Sequence, residues 1–567
     1  MIIQKENGVY YRQDKEQLYI QPWGENSFRV RATQRADFMS DEMSVVTMPK
    51  KDRSDSYQVE KNAFGDVTII NGKIKAVLFH TGKIVFYNQK GEVLLEEYER
   101  QRDRNHIPDH FNSALEIPPR VYKPHQGTSN YQIEVRFESN ENEKIYGMGQ
   151  YQQPYLDVKG CVLELAQRNS QASVPFMISN QGYGFLWNNP AIGSVSFGKN
   201  LTEWMARSSS QVDYWITAGD TPSEILETYA NVSGKVPMMP DFGTGFWQCK
   251  LRYQTQDEIM NVAREYKRRE LPISLIVVDF FHWPFQGDWK FDKDYWPDPQ
   301  GMINELKEMG IELMVSIWPT VEVGSENYAE MVELGLLTRS EYGNRQSQLF
   351  NASLIDATNP ETRKYVWGKI KENYYDLGIR IFWLDEAEPE FTNYEFEFYR
   401  YHLGANLEVG NIYPKVYAQM AYEGMEKQGQ ENIVNLLRCA WAGSQKYGAL
   451  VWSGDIDSSF RSLRNQLVAG LNMGLAGIPW WTTDIGGFHG GNIHDKKFWE
   501  CMVRWFQFGT FCPVMRLHGF REPFQEPLGT TGGGKQISGA DNEVWSYGEE
   551  NYEIFKKFMQ TREKIRP

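Results

Sequence analysis

Long apolar runs, paired cysteines and clustered basic residues are all missing from this 567-residue chain, and each absence removes a class of function. No stretch approaches the roughly 18 consecutive apolar residues that cross a bilayer, and the N-terminal MIIQKENGVYYRQDKEQ lacks the apolar segment of a signal peptide. The expectation is a soluble, cytoplasmic protein with no membrane partner. The five cysteines (Cys161, Cys249, Cys439, Cys501, Cys512) show no CxxC spacing, which argues against a zinc ribbon or a disulfide framework and fits a reducing compartment. Lys and Arg number 60 against 74 Asp and Glu, a net charge of −14. A phosphate backbone needs clustered positive charge, so no nucleic-acid partner is expected, and the one dense basic run, KRRE (267–270), reads as the solvated face of a helix. TTGGGK (530–535) lacks the GxxxxGK(S/T) spacing of a phosphate loop and reads as a loop near a cleft. No metal or organic cofactor is called for. Oligomeric state is not legible, and a homo-oligomer stays open.

What is present is length and aromatic content. A chain of this size exceeds one typical domain, so two or three are expected. Residues 1–235 carry short alternating runs (QLYIQPW, SFRVRA, DVTIING, KIVFYN, YQIEVRF, GYGFLWNN) separated by Gly, Asn and Asp turns, the pattern of an antiparallel β-sandwich. PSEILETYANVSG (222–234) reads as a short helix, and VPMMPDFGTG (236–245) as a boundary. Residues 236–567 then alternate strand, loop and helix. Eight apolar strand candidates appear: 243–250, 274–280, 312–318, 379–385, 433–439, 449–455, 478–484 and 512–519. Between them lie helical patterns such as 255–270 and 359–378. Eight parallel βα units predict a (β/α)₈ TIM barrel, with an insertion between about 319 and 358 and a last helix over 552–567. The expected architecture is multidomain, a sandwich followed by a barrel.

Two barrel strands stop on carboxylates: IRIFWLDEAEPEF (379–391) presents Asp385, and GALVWSGDIDSSF (448–460) presents Asp455. A strand that is almost wholly apolar is buried on both faces, so the acid at its C-terminal end sits at the rim where barrel enzymes keep their chemistry. Two such acids suit glycoside cleavage, in which one carboxylate attacks or stabilises the anomeric carbon and a second carboxyl group protonates the leaving oxygen. The bland alternative is strand-terminal caps or loop ion pairs. Other strand ends favour the catalytic reading: Asp279 followed by Phe280, Phe281, His282 and Trp283, then Trp318, Arg438, Asp484, Arg516 and His518. Acids and Arg hydrogen-bond vicinal hydroxyls, while aromatics supply the apolar wall that a sugar ring needs. His518 alone could equally be a structural histidine.

At these residues the chain resembles glycoside hydrolase family 31, retaining exo-α-glycosidases that include α-glucosidases and α-xylosidases. IYGMGQ (145–150), LDVKG (156–160) and FMISNQGYGFLWNN (176–189) look like the family's sandwich signatures, with Gln150 where many members have Glu. GFWQCKLRY, WLDEAEPE, RCAWAGSQKYG, WSGD, DIGGF and RLHG match its barrel motifs in order. The resemblance implies that Asp385 is the nucleophile and Asp455 the general acid/base. It also implies that Asp279, Trp318, Arg438, Trp452, Asp484, Arg516 and His518 line the −1 subsite; Phe280, Phe281 and Trp383 are further substrate-binding candidates. Glu386, Glu388, Glu390 and Asp457 stand beside the two acids and read as ion pairs or supports.

Sugar identity is argued from bulk. Glucose needs space and a polar partner for its C6 hydroxymethyl group; xylose has none, and VVDFFHW (277–283) puts two Phe after Asp279. The sequence therefore leans to an α-xylosidase acting on an oligosaccharide or small α-glycoside. Behind it stand an α-glucosidase, then an α-galactosidase, an α-N-acetylgalactosaminidase or a transglycosylase of the same family. From other classes, a catalytically silent carbohydrate-binding protein is disfavoured by the presence of both acids, and a structural subunit stays open. Family members usually continue into small C-terminal β-domains that this chain does not show, so a longer protein and uncovered apolar barrel surface are expected.

Overall fold

The computed structural model describes residues 1–566 apart from residues 6, 48–56, 101–114, 344–350 and 390–395. The N-terminal half is antiparallel throughout. An eight-stranded sheet, from Ile2–Lys5 at one edge to Ile145–Gln150 at the other, faces a five-stranded sheet. A further meander runs from Gln58–Lys61 to Val93–Glu96. Alternation decides which faces meet: Leu201–Ser209 buries every second residue along most of its length, as a half-buried strand should. Phe137 of the smaller sheet packs edge-on against Phe185 and Tyr214 of the larger, at 5.6 and 5.9 Å between centroids, so the sandwich core is aromatic. The expected sandwich is present.

The second half is the expected barrel. Its strands are β1 (Phe246–Gln248), β2 (Leu275–Val278), β3 (Glu312–Ile317), β4 (Ile381–Leu384), β5 (Asn435–Leu437), β6 (Ala449–Trp452), β7 (Trp481–Thr482) and β8 (Met515–Leu517). All neighbouring pairs are parallel, and β1 pairs with both β2 and β8. Val514 N–H to Trp481 O and Ile485 N–H to Arg516 O, each 3.3 Å, close the ring between β7 and β8. Each strand falls inside its predicted segment but is shorter, because the ladder ends before the strand-end residues turn into the loops.

The helices start where their caps dictate. Thr255 accepts from Glu258 N–H ahead of Gln256–Arg268, and Asn359 accepts from Glu361 N–H ahead of Pro360–Ile370. Glu549–Ile565 packs on Lys496–Gly509 through Phe555 and Phe506, 4.6 Å apart. After β3 the chain makes an excursion in which Thr320–Glu322 pairs with Ala352–Leu354. A second excursion after β4, unforeseen from sequence, returns Tyr399–Tyr401 to pair with Arg339–Ser340.

The sandwich docks on the helix that follows β6. Gly147 N–H donates to Asn472 Oδ1 (2.9 Å) of Phe460–Leu475. Any side chain at Gly147 would meet Phe176 O at 2.7 Å, and its φ of +100° suits glycine alone. This docking sets the sandwich loops over the C-terminal end of β6.

Candidate active site

Period two along the barrel strands explains how the site is assembled. Trp247, Leu275, Val277, Met314, Ile381, Trp383, Leu436, Leu450, Trp452, Trp480 and Val514 form one cluster inside the barrel, while Ile276, Val278, Phe382, Leu384 and Val451 belong to the cluster that takes in the helices. Side chains alternate strictly along a strand. Stepping outward by twos from the interior cluster leads to Asp279 on β2, Trp318 on β3, Asp385 on β4, Arg438 on β5, Asp484 on β7 and Arg516 and His518 on β8. These side chains therefore converge over the barrel's C-terminal mouth. Asp455 breaks the parity; it follows Gly454, whose φ of +73° turns the chain.

Arg438 is the electrostatic centre. Its buried guanidinium meets Glu388 at 2.6 Å, Glu386 at 3.1 Å, Asp455 at 3.3 Å and Asp385 at 3.9 Å. Burial works against its charge, and Glu386, Glu388, Asp385 and Asp455 overcome that, so its pKa rises well above the ordinary arginine value. Asp385 Oδ1 accepts from Glu386 N–H (2.8 Å) and its Oδ2 from Trp318 Nε1–H (3.1 Å). Asp455 faces the same guanidinium, whereas Asp457 is exposed. Glu386 and Glu388 are ion-paired supports as expected, and Glu390 lies outside the described residues.

Deeper in the mouth the polar groups outnumber their partners. Asp279 Oδ2, Asp484 Oδ2, Arg516 Nε and Nη2, His518 Nδ1 and Trp383 Nε1 are buried with no hydrogen-bond partner among the described residues. Buried polar groups are nearly always paired, so such a cluster calls for a ligand rich in hydroxyls. Burial, then the charges of Asp385 and Asp484, lift the Asp279 pKa well above the usual carboxylate range, against the Phe280 N–H bond to its Oδ1. Asp484, ion-paired to Arg516, is pushed up to about 7 by burial. Burial, helped by Arg516 and Arg521, drives His518 well down, leaving a neutral imidazole 3.7 Å from Asp279 Oδ2, too long for a hydrogen bond. Arg516 lies over Trp383 (4.5 Å) and Trp452 (5.7 Å).

One flank is apolar. Phe280 stacks on Trp318 at 4.9 Å and 3°, and Phe281 and Trp283 complete the group. Phe281 holds φ +60°. Gly533 of TTGGGK presses on it so closely that a Cβ there would lie 1.7 Å from Phe281 O, which places that loop against the aromatic flank. His282 turns away, with Nδ1 2.8 Å from Asp279 O and Nε2 2.7 Å from Tyr374 Oη. Cys249, Asp279 and His518 bring potential metal-ligand atoms within 4.8 Å of one another. Burial pushes the Cys249 thiol well up.

All twelve candidate residues thus lie at or next to the barrel mouth, and two sandwich residues join them. Gln150 Nε2–H donates to Trp452 O (3.1 Å) and its Oε1 accepts from Trp481 Nε1–H (2.8 Å). Asn169 Nδ2–H donates to Asp455 Oδ2 (2.7 Å). Sequence reading missed Asn169; AQRNSQAS carries no signal beyond a turn.

The sequence profile described as "Glycosyl hydrolases family 31 TIM-barrel domain" matches residues 236–567, more than half the chain. The chain belongs to glycoside hydrolase family 31. A second profile, "Glycosyl hydrolase 31 N-terminal galactose mutarotase-like domain", matches residues 17–195 of this family 31 enzyme. A protein of Pseudescherichia vulneris named "Uncharacterized family 31 glucosidase ORF2" is 54% identical over 530 residues, 92% of this chain and 99% of its own. An α-xylosidase of Saccharolobus solfataricus is 34% identical, over 79% of this chain but only 59% of its own length. The structure of a family 31 α-xylosidase from a soil metagenome, complexed with xylose, superposes with a TM-score of 0.97 at 58% identity, over 100% of this chain and 84% of that one.

A test of the buried acids follows for this glycoside hydrolase. Because the folded state raises the Asp279 pKa, it binds the proton more tightly than the unfolded chain. That stabilisation is complete below about pH 3.9, the unfolded value, and fades as pH rises. Asp279→Asn removes the dependence. The variant is expected to lose most activity yet melt higher than the parent, by a margin that widens from pH 5 to pH 8. Thermal denaturation at both pH values checks this; a constant or reversed margin would contradict it.

Proposed function

We propose that the enzyme removes a non-reducing terminal α-xylosyl residue by double displacement, with Asp385 as nucleophile and Asp455 as acid/base. Support for a retaining mechanism comes from Arg438 Nη1, which lies 3.9 Å from Asp385 Oδ1 and 3.3 Å from Asp455 Oδ2. The two oxygens can stand no further apart than those distances laid end to end. That excludes most of the ~6.5–9.5 Å range of inverting pairs and suits the roughly 5–5.5 Å of retaining ones. Asp385 attacks the anomeric carbon while Asp455 protonates the departing oxygen; water then enters on the Asp455 side and restores the α configuration. A sugar hydroxyl in place of water gives transglycosylation.

The observation that carries the choice of xylose is the Phe280–Trp318 stack directly after Asp279. Half-buried Phe280 offers bulk where a hexose carries its hydroxymethyl group and a pentose carries hydrogen. Proteins named α-xylosidase from Saccharolobus solfataricus and Aspergillus niger, at 34% and 32% identity, and the xylose complex from a soil metagenome lend support. The glucosidase name of the Pseudescherichia vulneris protein favours the runner-up, an α-glucosidase.

Initial rates on p-nitrophenyl α-xyloside, α-glucoside, α-galactoside and α-N-acetylgalactosaminide separate the readings. Xyloside is expected to exceed glucoside in kcat/KM by at least about tenfold, the ~1.4 kcal/mol at the low end of what one group's fit in a pocket is worth. Phe280→Ala is expected to narrow that ratio. A glucoside preference, or a ratio unmoved by Phe280→Ala, would overturn the steric argument.

A further inference from the structure

One residue that touches Asp455 does not come from the barrel. Asn169 sits on the sandwich loop between Val162–Leu165 and Ala172–Ser179. Its side-chain amide meets Asp455 twice: Oδ1 accepts the Asp455 backbone N–H (3.0 Å), and Nδ2–H donates to Asp455 Oδ2 (2.7 Å). One planar amide therefore fixes both the main chain and the carboxyl rotamer of Asp455. The orientation of the amide is unambiguous, because the backbone N–H can face only its oxygen.

The loop is braced to deliver this contact. Arg168 and Gln171 exchange backbone hydrogen bonds of 3.2 and 2.9 Å, and Ser170 holds φ +67°. Ser170 O accepts from Gln152 Nε2–H (2.8 Å), whose Oε1 accepts from Gln466 Nε2–H (2.8 Å) on the barrel helix Phe460–Leu475. Gly454 completes the fit: a Cβ there would lie 2.5 Å from Ser170 N and Cα, so the loop can rest on the residue before Asp455 only because that residue has no side chain.

Two donors converge on one oxygen of Asp455. Asn169 Nδ2 and Arg438 Nη1, at 3.3 Å, both address Oδ2. A carboxyl group whose Oδ2 is held by N–H donors carries its proton on Oδ1.

We propose that Asn169 is the positioning residue of the acid/base: the sandwich domain, through this amide, fixes Asp455 so that Oδ1 delivers the proton to the leaving group. The inference rests on the reading of Asp455 as acid/base. In the first half-reaction the Oδ1 proton passes to the glycosidic oxygen as the bond from the anomeric carbon to that oxygen breaks and Asp385 bonds to the carbon. In the second, water surrenders a proton to Asp455 Oδ1 as its oxygen displaces Asp385. Docking of the sandwich on the barrel is then a requirement for protonating the aglycone, beyond its contribution to stability.

The test compares a substrate that needs protonation with one that does not. Asn169→Ala, isosteric Asn169→Asp and Asp455→Ala are assayed on a methyl α-glycoside and on the α-glycosyl fluoride of the same sugar, the one the enzyme prefers. A hydrogen bond to a charged group corresponds to roughly tenfold to a hundredfold in rate. Both Asn169 variants are expected to lose that much kcat/KM on the methyl glycoside and less than about threefold on the fluoride. Their basic limb of kcat/KM is expected to move to higher pH, because a donor to the carboxylate is gone. The move should be larger for Asn169→Asp, which sets a second carboxylate against the first. Equal losses on the two substrates, or an unmoved limb, would reduce Asn169 to a structural residue and overturn the proposal. Asp455→Ala keeps the two failures apart. A substrate split in that variant without one at Asn169 sinks the positioning role alone, whereas no split in either sinks the reading of Asp455 and the proposal with it.

Discussion

Asp385→Ala is expected to lower turnover on every α-glycoside the enzyme accepts by at least about 10⁴-fold, equivalent to about 5.4 kcal/mol of barrier, while the protein stays folded. The size follows from what the carboxylate does in a double displacement. It forms the covalent bond that divides one difficult substitution into two easier ones, and neighbouring Glu386, tied to Arg438 at 3.1 Å, is not free to replace it. Folding survives because Arg438 keeps Glu386, Glu388 and Asp455 as partners, so no buried charge is stranded. The vacated space lies on the face of the sugar opposite the leaving group. Azide supplied to the variant is therefore expected to attack there and release the β-glycosyl azide from an activated α-glycoside, seen by proton NMR of the anomeric signal. Residual activity above about 1% of the parent, or an azide product of α configuration, would remove Asp385 from the role. Glu386→Gln is the comparison: its loss should be much smaller and unresponsive to azide.

Most of this site was legible because period two is a strict property of strands. Once IRIFWLD and SLIVVDF are read as buried parallel strands, Trp383 and Asp385, or Val277 and Asp279, must share a face, and the interior cluster confirms which face it is. The rim acids, Arg516 and His518 follow from the same rule; His282, grouped with them from sequence, turns away to Asp279 O and Tyr374 Oη. Asp455 was found by motif and position, since the turn at Gly454 takes it out of the alternation.

What stayed hidden depends on contacts between distant segments. Nothing in RCAWAGS shows that Arg438 would gather four carboxylates, because three follow β4 closely and the fourth comes from the end of β6. Asn169 is separated from Asp455 by 286 residues, and a sandwich turn gives no hint of which barrel strand it will cover. The docking is encoded instead by Gly147 and Gly454, whose missing side chains matter only when the partner surface is known. The second excursion after β4 escaped notice for a related reason. Tyr399–Tyr401 is a three-residue strand, and its hydrogen-bonding partner, Arg339–Ser340, lies before β4 in sequence, so no local pattern announces it.

Arg438→Met should do more damage to the fold than any other single change in the site. The guanidinium is 2% exposed, and Asp385, Glu386, Glu388 and Asp455 surround it at the distances given above. Removing one partner of a buried ion cluster leaves uncompensated charge, which costs about 3–5 kcal/mol. Here four acids lose their shared cation, so the upper half of that range is expected. Lysine does not substitute well, because a single ammonium cannot span four carboxylates as the planar fork does; Arg438→Lys should recover less than half of the loss. The pH dependence has a definite sign. Without the guanidinium the clustered acids hold protons in the folded state that the unfolded chain releases near pH 4, so the variant loses stability as pH rises. Its deficit against the parent should therefore be smallest at about pH 5 and grow towards pH 8, whereas a simple packing defect would give the same deficit at both. Denaturant unfolding of the parent and both variants at the two pH values measures it. A deficit that is the same at both, or below about 1 kcal/mol, would mean that the four carboxylates do not depend on Arg438 for their charge. The organisation of nucleophile and acid around one cation would then have to be given up.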